Sequence, residues 1–404
     1  MILCRDKDGG TDMGKKLGMT HDLWWLTLSM GLWGLGFGLY GILWPLYIEK
    51  LGGNAVAVGI MSTIAGIATA LVVFPGGYLA DRIDRRTLVL WGWILGVPVP
   101  FLFAWAPSWQ WLIPGVLLYF GSAFSTPALQ AMIVEEARPD HLSTAYNIVM
   151  SVFGAGMVAG PPIGAYLATH WSYRAVFILS GVIYLVSTLT VLPVKSHPPK
   201  PAPKARRPKW TPKGRPRLFQ WMMFAAGLAI VQGMAFPYVV PFWKSVSHFS
   251  LQTIGYLGSI GILCGTVTGP IWGKIGEKHG VTTTIGWGLG LVTVGWLAIL
   301  WAPESVIWAL ISGVLRGTGE SARGLQGVAV GRVVRREEAG TAYGLFNLVT
   351  ESAGALAPLP GGILYTHWPY APLIVVTFLT GIIAWWLVNG LPGRPLPPPP
   401  VASS

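Results

Sequence analysis

Along most of this chain the apolar residues neither alternate nor recur at helical spacing; they run on without a polar face. The stretch from 55 to 80, AVAVGIMSTIAGIATALVVFPGGYLA, contains no charge at all. Twelve such spans are marked out at 23–46, 55–80, 87–106, 109–134, 143–169, 174–193, 218–242, 251–273, 281–302, 305–329, 341–366 and 371–391. A helix of about 24 residues is about 36 Å long, which crosses a hydrocarbon core with some tilt. Inside lipid every backbone N–H and C=O needs an internal partner, and a membrane strand needs only about 10 residues, so the spans are predicted as helices.

The polar interruptions divide these spans into two sets of six. Between the sixth and seventh lies VKSHPPKPAPKARRPKWTPKGRPR, whose nine basic residues and many prolines hold neither helix nor core, so an extended linker is expected over 194–217. The stretches at 1–22 and 392–404 read as tails, the second, with its proline run, as disordered. A shift of 197 residues superposes the second half on the first. TAYNIVMSVFGAGMVAGPPIGAYLATHWSY from Thr144 and TAYGLFNLVTESAGALAPLPGGILYTHWPY from Thr341 share eleven of thirty positions without a gap. With a shift of 196, Pro45 falls on Pro241 and Gly77 on Gly273. The expected architecture is therefore an all-α membrane protein of twelve transmembrane helices in two pseudo-symmetric six-helix bundles, 23–193 and 218–391. Parallel repeats of this kind are the plan of secondary transporters, with the site between the halves.

Composition agrees, since the chain is 52% hydrophobic and only 11% charged, with a mean hydropathy of +0.55. Its net charge of +12 raises the question of nucleic acid. The distribution answers it. With both ends inside, only Lys50, Arg174 and Lys244 face out, Arg316 and Arg323 lie within a span, and all the other Lys and Arg face in. That asymmetry is a topology signal, so both termini are expected in the cytoplasm, the membrane is expected to be a prokaryotic inner membrane, and no nucleic-acid partner is expected. The first span lacks a small-residue cleavage pattern and reads as an uncleaved anchor. Cys4 and Cys264 lie too far apart in this topology for a structural disulfide to be expected.

The charge is densest in GGYLADRIDRR, 76–86, the turn after the second span. Three arginines would suffice to hold a loop inside. They do not explain Asp81 and Asp84, nor Gly77 four residues before Asp81; a glycine there would let another backbone approach closely. Gly77-x-x-x-Asp81-Arg82-x-x-Arg85-Arg86 resembles the signature loop of the major facilitator superfamily, G-x-x-x-D-[RK]-x-G-[RK]-[RK]. Asp84 stands where that family usually has glycine, which is expected to make the turn denser in charge and looser in backbone. Gly273-x-x-x-Glu277-Lys278-x-Gly280 is a degenerate second copy. The resemblance covers the whole chain and implies a cytoplasmic latch, with Asp81 at a helix start in the other half and Arg85 paired with Glu135 or Glu136. Gly156-x-x-x-Gly160-Pro161-x-x-Gly164-Ala165 in span five is similar to the antiporter motif of the family's drug/proton exporters; the same small residues equally suit tight helix packing. The family's usual arginine in span four is absent from LLYFGSAFSTP.

Four charges remain at hydrocarbon depth: Arg316, Glu320 and Arg323 in span ten, and Glu351 in span eleven. Such charges normally face a cavity or one another and mark pathways. The first three share a helix face by spacing, with Glu351 one helix on to offset the surplus positive charge. Their repeat mates are Tyr119, Ala123, Thr126 and Gly154. Two readings stand: an internal salt-bridge network, or a site in which Glu320 or Glu351 couples protons and an arginine holds substrate. Candidate cavity residues are Trp33, Phe37, Tyr40 and Trp44 at one-turn spacing, with Tyr119, Asn147, Gln232, Phe236 and Tyr238.

The leading reading is proton-coupled efflux of drugs or amphipathic metabolites by alternating access. The alternative is symport or uniport of small organic anions on the span-ten arginines. No nucleophile constellation points to an enzyme, no nucleotide-binding loop to ATP, no histidine cluster to a metal, and no cofactor is expected. The partners expected are a small molecule, protons and lipid, with the chain acting as a monomer.

Overall fold

The structure is a computed structural model describing residues 19–137, 141–196, 216–334 and 339–389. Most of the linker and both tail expectations fall outside these residues. Among the described residues every regular element is a helix. In chain order the α-helices are α1 (His21–Gly41), α2 (Trp44–Lys50), α3 (Ala55–Ala80), α4 (Arg85–Gly96), α5 (Pro98–Ala104), α6 (Ile113–Gly121), α7 (Thr126–Glu136), α8 (Leu142–His170) and α9 (Tyr173–Leu189). After the linker come α10 (Pro216–Gly233), α11 (Val239–Ser245), α12 (Leu251–His279), α13 (Val281–Ile299), α14 (Val306–Ser321), α15 (Leu325–Val333), α16 (Ala339–Leu356), α17 (Pro358–His367) and α18 (Ala371–Asn389).

These pieces assemble into twelve helical passages in two bundles of six, and several passages are broken where proline removes a donor. Pro45 has no N–H for the Gly41 carbonyl, and α1 turns into α2 there with a bend of 43°. Pro98, Pro237 and Pro358 mark the corresponding breaks before α5, near α11 and before α17. Among the described residues eight helical stretches, some of them joining consecutive helices such as α4 and α5, are long and apolar enough to cross a membrane, or nine when the bent α1–α2 pair counts as one. The rest fall short for reasons the sequence explains. α9 has 17 residues, span ten carries Arg316, Glu320 and Arg323 and changes to a 3-10 turn after Ser321, and span eleven breaks at Ala357.

The helices cluster into two compact units. One holds Trp44 and the described residues before it, with Ala68 onward to the linker; the other holds Pro45–Ile67 and the described residues after the linker. The N-terminal half of α3, up to Ile67, thus clusters with the second unit rather than with the rest of 23–193. A Cβ at Gly59 would meet Tyr238 and Pro358, and one at Gly66 would meet Ala355. Around both units large apolar side chains stay exposed along the helices, Leu71, Trp91, Leu117, Val267, Phe378 and Trp385 among them. A soluble chain does not leave so many uncovered; here the bilayer covers them. A shallow hollow of about 510 Å³ lined by Thr293, Phe378, Ile382 and Trp385 belongs to this lipid-facing surface.

Candidate functional site

The charged turn after α3 is built around Asp84. Its carboxylate caps α4, accepting from Thr87 N at 3.0 Å and Thr87 Oγ1 at 2.8 Å, and it accepts from Ser196 Oγ at 2.8 Å. Its backbone sits at φ −50°, which needs no glycine. The expectation of a looser turn is therefore wrong: the aspartate tightens the turn by satisfying helix-start N–H groups. In the second copy Gly280 takes φ +88°, a conformation that favours glycine. The structure brings Arg85 and Glu135 together, with Nη1 2.5 Å from the carboxylate. Glu136 instead accepts from Thr20 Oγ1 at 2.5 Å. Arg82 stacks on Tyr78, and Arg86 donates to the Leu192 carbonyl at 2.7 Å. Asp81, Glu277 and Lys278 are exposed. The close approach expected at Gly77 is not there, since a Cβ would meet nothing within 4 Å; the tight contact is at Gly76, against the Phe124 backbone.

Gly156, Gly160 and Gly164 line the face of α8 that packs on α1. A Cβ at Gly156 would enter the backbone of Gly31, Gly34 and Leu35; at Gly160, that of Gly38; at Gly164, the Leu39 carbonyl. α8 continues through the buried Pro161. These residues therefore seat two helices at backbone contact, the packing role that small residues serve in membranes.

On the other side of α1 lies an aromatic chamber within the first unit. Trp33 stacks on Tyr184 with ring centres 4.2 Å apart and tilts against Trp93 at 4.7 Å. Phe37 stacks on Tyr119 at 5.6 Å and meets Tyr40 edge-on at 5.4 Å. Three hydroxyls converge at its head: Tyr40 to Tyr184 at 3.2 Å, and Tyr184 to Tyr119 at 3.4 Å. Behind it Trp93 Nε1 donates to Ser29 Oγ at 2.9 Å and Ser187 Oγ at 3.2 Å. A cavity of about 60 Å³ opens among Phe37, Tyr40, Trp44, Phe103, Tyr119 and Phe120. It admits the edge of a ring; a whole drug-sized molecule needs about 300 Å³ or more. Sequence reasoning missed Tyr184 and Trp93. The signal for Tyr184 was present, as Ser180, Tyr184 and Ser187 form a polar stripe at helical spacing along an apolar span.

The second unit differs. Gln232 is buried, accepting from Trp296 Nε1 at 3.0 Å and donating to Thr380 Oγ1 at 3.0 Å. Tyr238 is buried and donates to the Pro358 carbonyl at 2.5 Å. Both side chains are engaged in bonds within the second unit. Phe236 and Asn147 are exposed. In α14 and the turn after it, Arg323 donates to Glu320 at 2.7 Å. Arg316 points elsewhere, its guanidinium 4.2 Å over the face of Trp296, with Nε and Nη1 buried and unbonded among the described residues. A cation on an aromatic face gains about 0.5–2 kcal/mol, while an arginine at mid-membrane costs about 2.5–3.5 kcal/mol on insertion scales. The offset is partial. Glu351 does not join them: it is exposed on α16 and makes no ion pair among the described residues.

The model of the Major Facilitator Superfamily matches residues 26–358 and 222–403. Multidrug resistance protein 1 of Bacillus subtilis is 25% identical over 373 residues, 87% of this chain and 92% of that protein. A PmrA-homologous multidrug resistance efflux pump of Lactococcus lactis is 23% identical over 88% of this chain and 91% of its own. A protein of Deinococcus radiodurans named for sugar efflux is 30% identical over 184 residues, 44% of this chain and 47% of that one. Among solved structures, the peptide transporter POT with sulfate superposes with a TM-score of 0.77 at 15% identity, covering 91% of this chain and 93% of that one. The nucleoside transporter NupG superposes at 0.75 with 13% identity, covering 92% and 98%.

Proposed function

The chain belongs to the major facilitator superfamily, and we propose that this member exports amphipathic aromatic molecules from the cytoplasm, driven by protons and working by alternating access. The observation that carries the reading is the aromatic chamber. Its stacked faces offer dispersion and cation–π attraction, which tolerate many ring systems, and its tyrosine hydroxyls add adaptable hydrogen bonds. Among the described residues no acidic or basic side chain lines that chamber, so recognition there is by shape and polarisability. The names of the multidrug relatives point the same way. The lysine and arginine asymmetry supports a cytoplasmic position for both termini.

Glu320 is the candidate coupling carboxylate. Proton uptake by it requires release from Arg323, and a helix movement that separates the pair supplies that release. The turn at 81–86 serves as the gate, with Arg85 and Glu135 as its fixed part and the exposed Asp81 as the part free to engage.

The test uses inside-out vesicles loaded by an imposed pH gradient with a cationic and an acidic aromatic dye. Gradient-driven accumulation of either supports export, and its loss on adding an uncoupler supports proton coupling. Uptake of the acidic dye in the opposite sense alone would favour the organic-anion symporter. Tyr119→Ala is expected to cut accumulation severalfold. Asp81→Asn should insert normally and lose transport; normal flux there removes the gate. If Glu320→Gln and Glu351→Gln both keep gradient-driven flux, neither residue is the coupler.

A further inference from the structure

Arg316 makes no ion pair among the described residues. Its nearest acid in the helix, Glu320, is committed to Arg323 at 2.7 Å, and Glu351 lies exposed with no ion pair among the described residues. Glu320 acts on Arg316 only through its charge, without an ion pair, and the guanidinium rests on the ring face of Trp296, which leaves its plane, where the N–H groups point, unanswered at Nε and Nη1. A ring face attracts the charge but accepts no in-plane hydrogen bond.

The site is also built. Trp296 is buried and is held by Gln232, which is in turn held by Thr380, so the surface under the guanidinium is fixed by a chain of bonds across α10, α13 and α18. Gly295 opposes the arginine stem, and a Cβ there would collide with Arg316 Cγ and crowd its backbone N. The stem therefore lies in a slot that only a glycine leaves open, and the guanidinium is delivered to one place.

We propose that the Arg316 guanidinium is an oxyanion receptor, taking the carboxylate or phosphate group of a transported amphipath. A guanidinium is a planar fork of N–H donors, and an oxygen of a carboxylate or phosphate is the acceptor that the buried Nε and Nη1, which point along different edges of that fork, each lack. The receptor stands on this geometry; naming the anion as part of the cargo rests on the exporter reading. The same chemistry would also hold inorganic phosphate as a co-ion, and the experiment separates the two.

The full-length protein, purified in detergent, is unfolded thermally with its tryptophan fluorescence as readout, at constant ionic strength. The probes are sodium benzoate, its neutral isostere benzamide, and inorganic phosphate. Benzoate at about ten times its Kd is expected to raise Tm by about 2 °C and benzamide by none. Arg316→Gln should abolish the benzoate shift, and Arg316→Lys, which keeps the charge and loses the fork, should reduce it. A larger shift with benzoate than with phosphate assigns the anion to the cargo; a shift with phosphate alone keeps the receptor and makes its ligand a co-ion. Equal shifts with benzoate and benzamide, no shift with either anion, or a full shift retained in Arg316→Gln overturns the proposal. If Arg316→Gln does not fold, an unreduced shift in Arg316→Lys overturns the fork, and the benzamide comparison in the wild type decides the charge. Binding in detergent needs no flux. A chain that exports dye but shows no shift loses the receptor and keeps the exporter reading, and the converse result keeps the receptor alone.

Discussion

Positions 119 and 316 are the same place in the repeat, yet one carries a tyrosine and the other an arginine. Around Tyr119 the first unit is aromatic: Trp33, Phe37 and Tyr184 stack about it, and its hydroxyl meets another hydroxyl. Around Arg316 the second unit also offers an aromatic face, Trp296, but sets a charge on it. Duplication supplied one frame, and the two copies filled the same point with opposite chemistry. A frame whose interiors were interchangeable would recognise one kind of group twice. On the two proposals above, these interiors recognise ring faces in one half and an acid in the other, which together describe an amphipath.

The sharpest way to break this contrast is to exchange the residues. Tyr119→Arg places an unpaired cation among stacked rings, with no acid among the residues stacked on it. It is expected to cost about 3 kcal/mol or more and to collapse the yield of monodisperse protein on size-exclusion chromatography. Arg316→Tyr removes a charge that makes no ion pair among the described residues and sets a ring against Trp296, so stability is expected to change by less than about 1.5 kcal/mol. Equal damage from both exchanges would mean that Arg316 is as structural as Tyr119 and that the halves do not differ in kind.

A middle-sized effect compares the ion pairs. Arg85 and Glu135 have side chains 12% and 25% exposed, against 25% and 36% for Arg323 and Glu320. Double-mutant cycles with alanine at each arginine and glutamine at each acid are expected to give a coupling of about 1–2 kcal/mol for the first pair and about 0.5 kcal/mol or less for the second. A weak second pair suits a carboxylate that must be released to take a proton. A coupling as large as the first would make Glu320 a fixed strut.

The fold was legible because the signals behind it are long: apolar spans set by bilayer thickness, and a repeat that survives as TAY and THW at matching places. The pairing of Glu320 with Arg323 followed from helical spacing, which is local. What spacing could not supply was contact between distant spans. Tyr184 and Trp33 are far apart in sequence and stack at 4.2 Å, and nothing near Arg316 announces Trp296. Nor could residue type separate a substrate contact from a structural bond. Gln232 looked like a cavity amide, but its two ends are occupied by Trp296 and Thr380. Gly77 misled for a related reason: the motif names the glycine, while the helix rotation gives the close approach to its neighbour Gly76.

The smallest effect concerns the two copies of the charged turn, where the halves solve one problem with different residues. After α3 the next helix starts on Asp84, whose side chain accepts from Thr87 N, Thr87 Oγ1 and Ser196 Oγ. After α12 it starts on Gly280, whose backbone at φ +88° makes the turn and whose side of the chain offers no cap. Asp84→Ala removes the cap and is expected to cost about 1 kcal/mol; Gly280→Ala forces a Cβ into the left-handed region and is expected to cost about 1–2 kcal/mol. Asp84→Gly discriminates best. It restores the residue usual in the family, loses the side-chain bonds, and is expected to cost only a few tenths of a kcal/mol, because glycine is itself tolerated at a helix start. Thermal unfolding of the three variants orders them. If Asp84→Gly falls as far as Asp84→Ala, the bond to Ser196 at the head of the linker matters more than the cap, and the turn is tied to the linker in the first half alone.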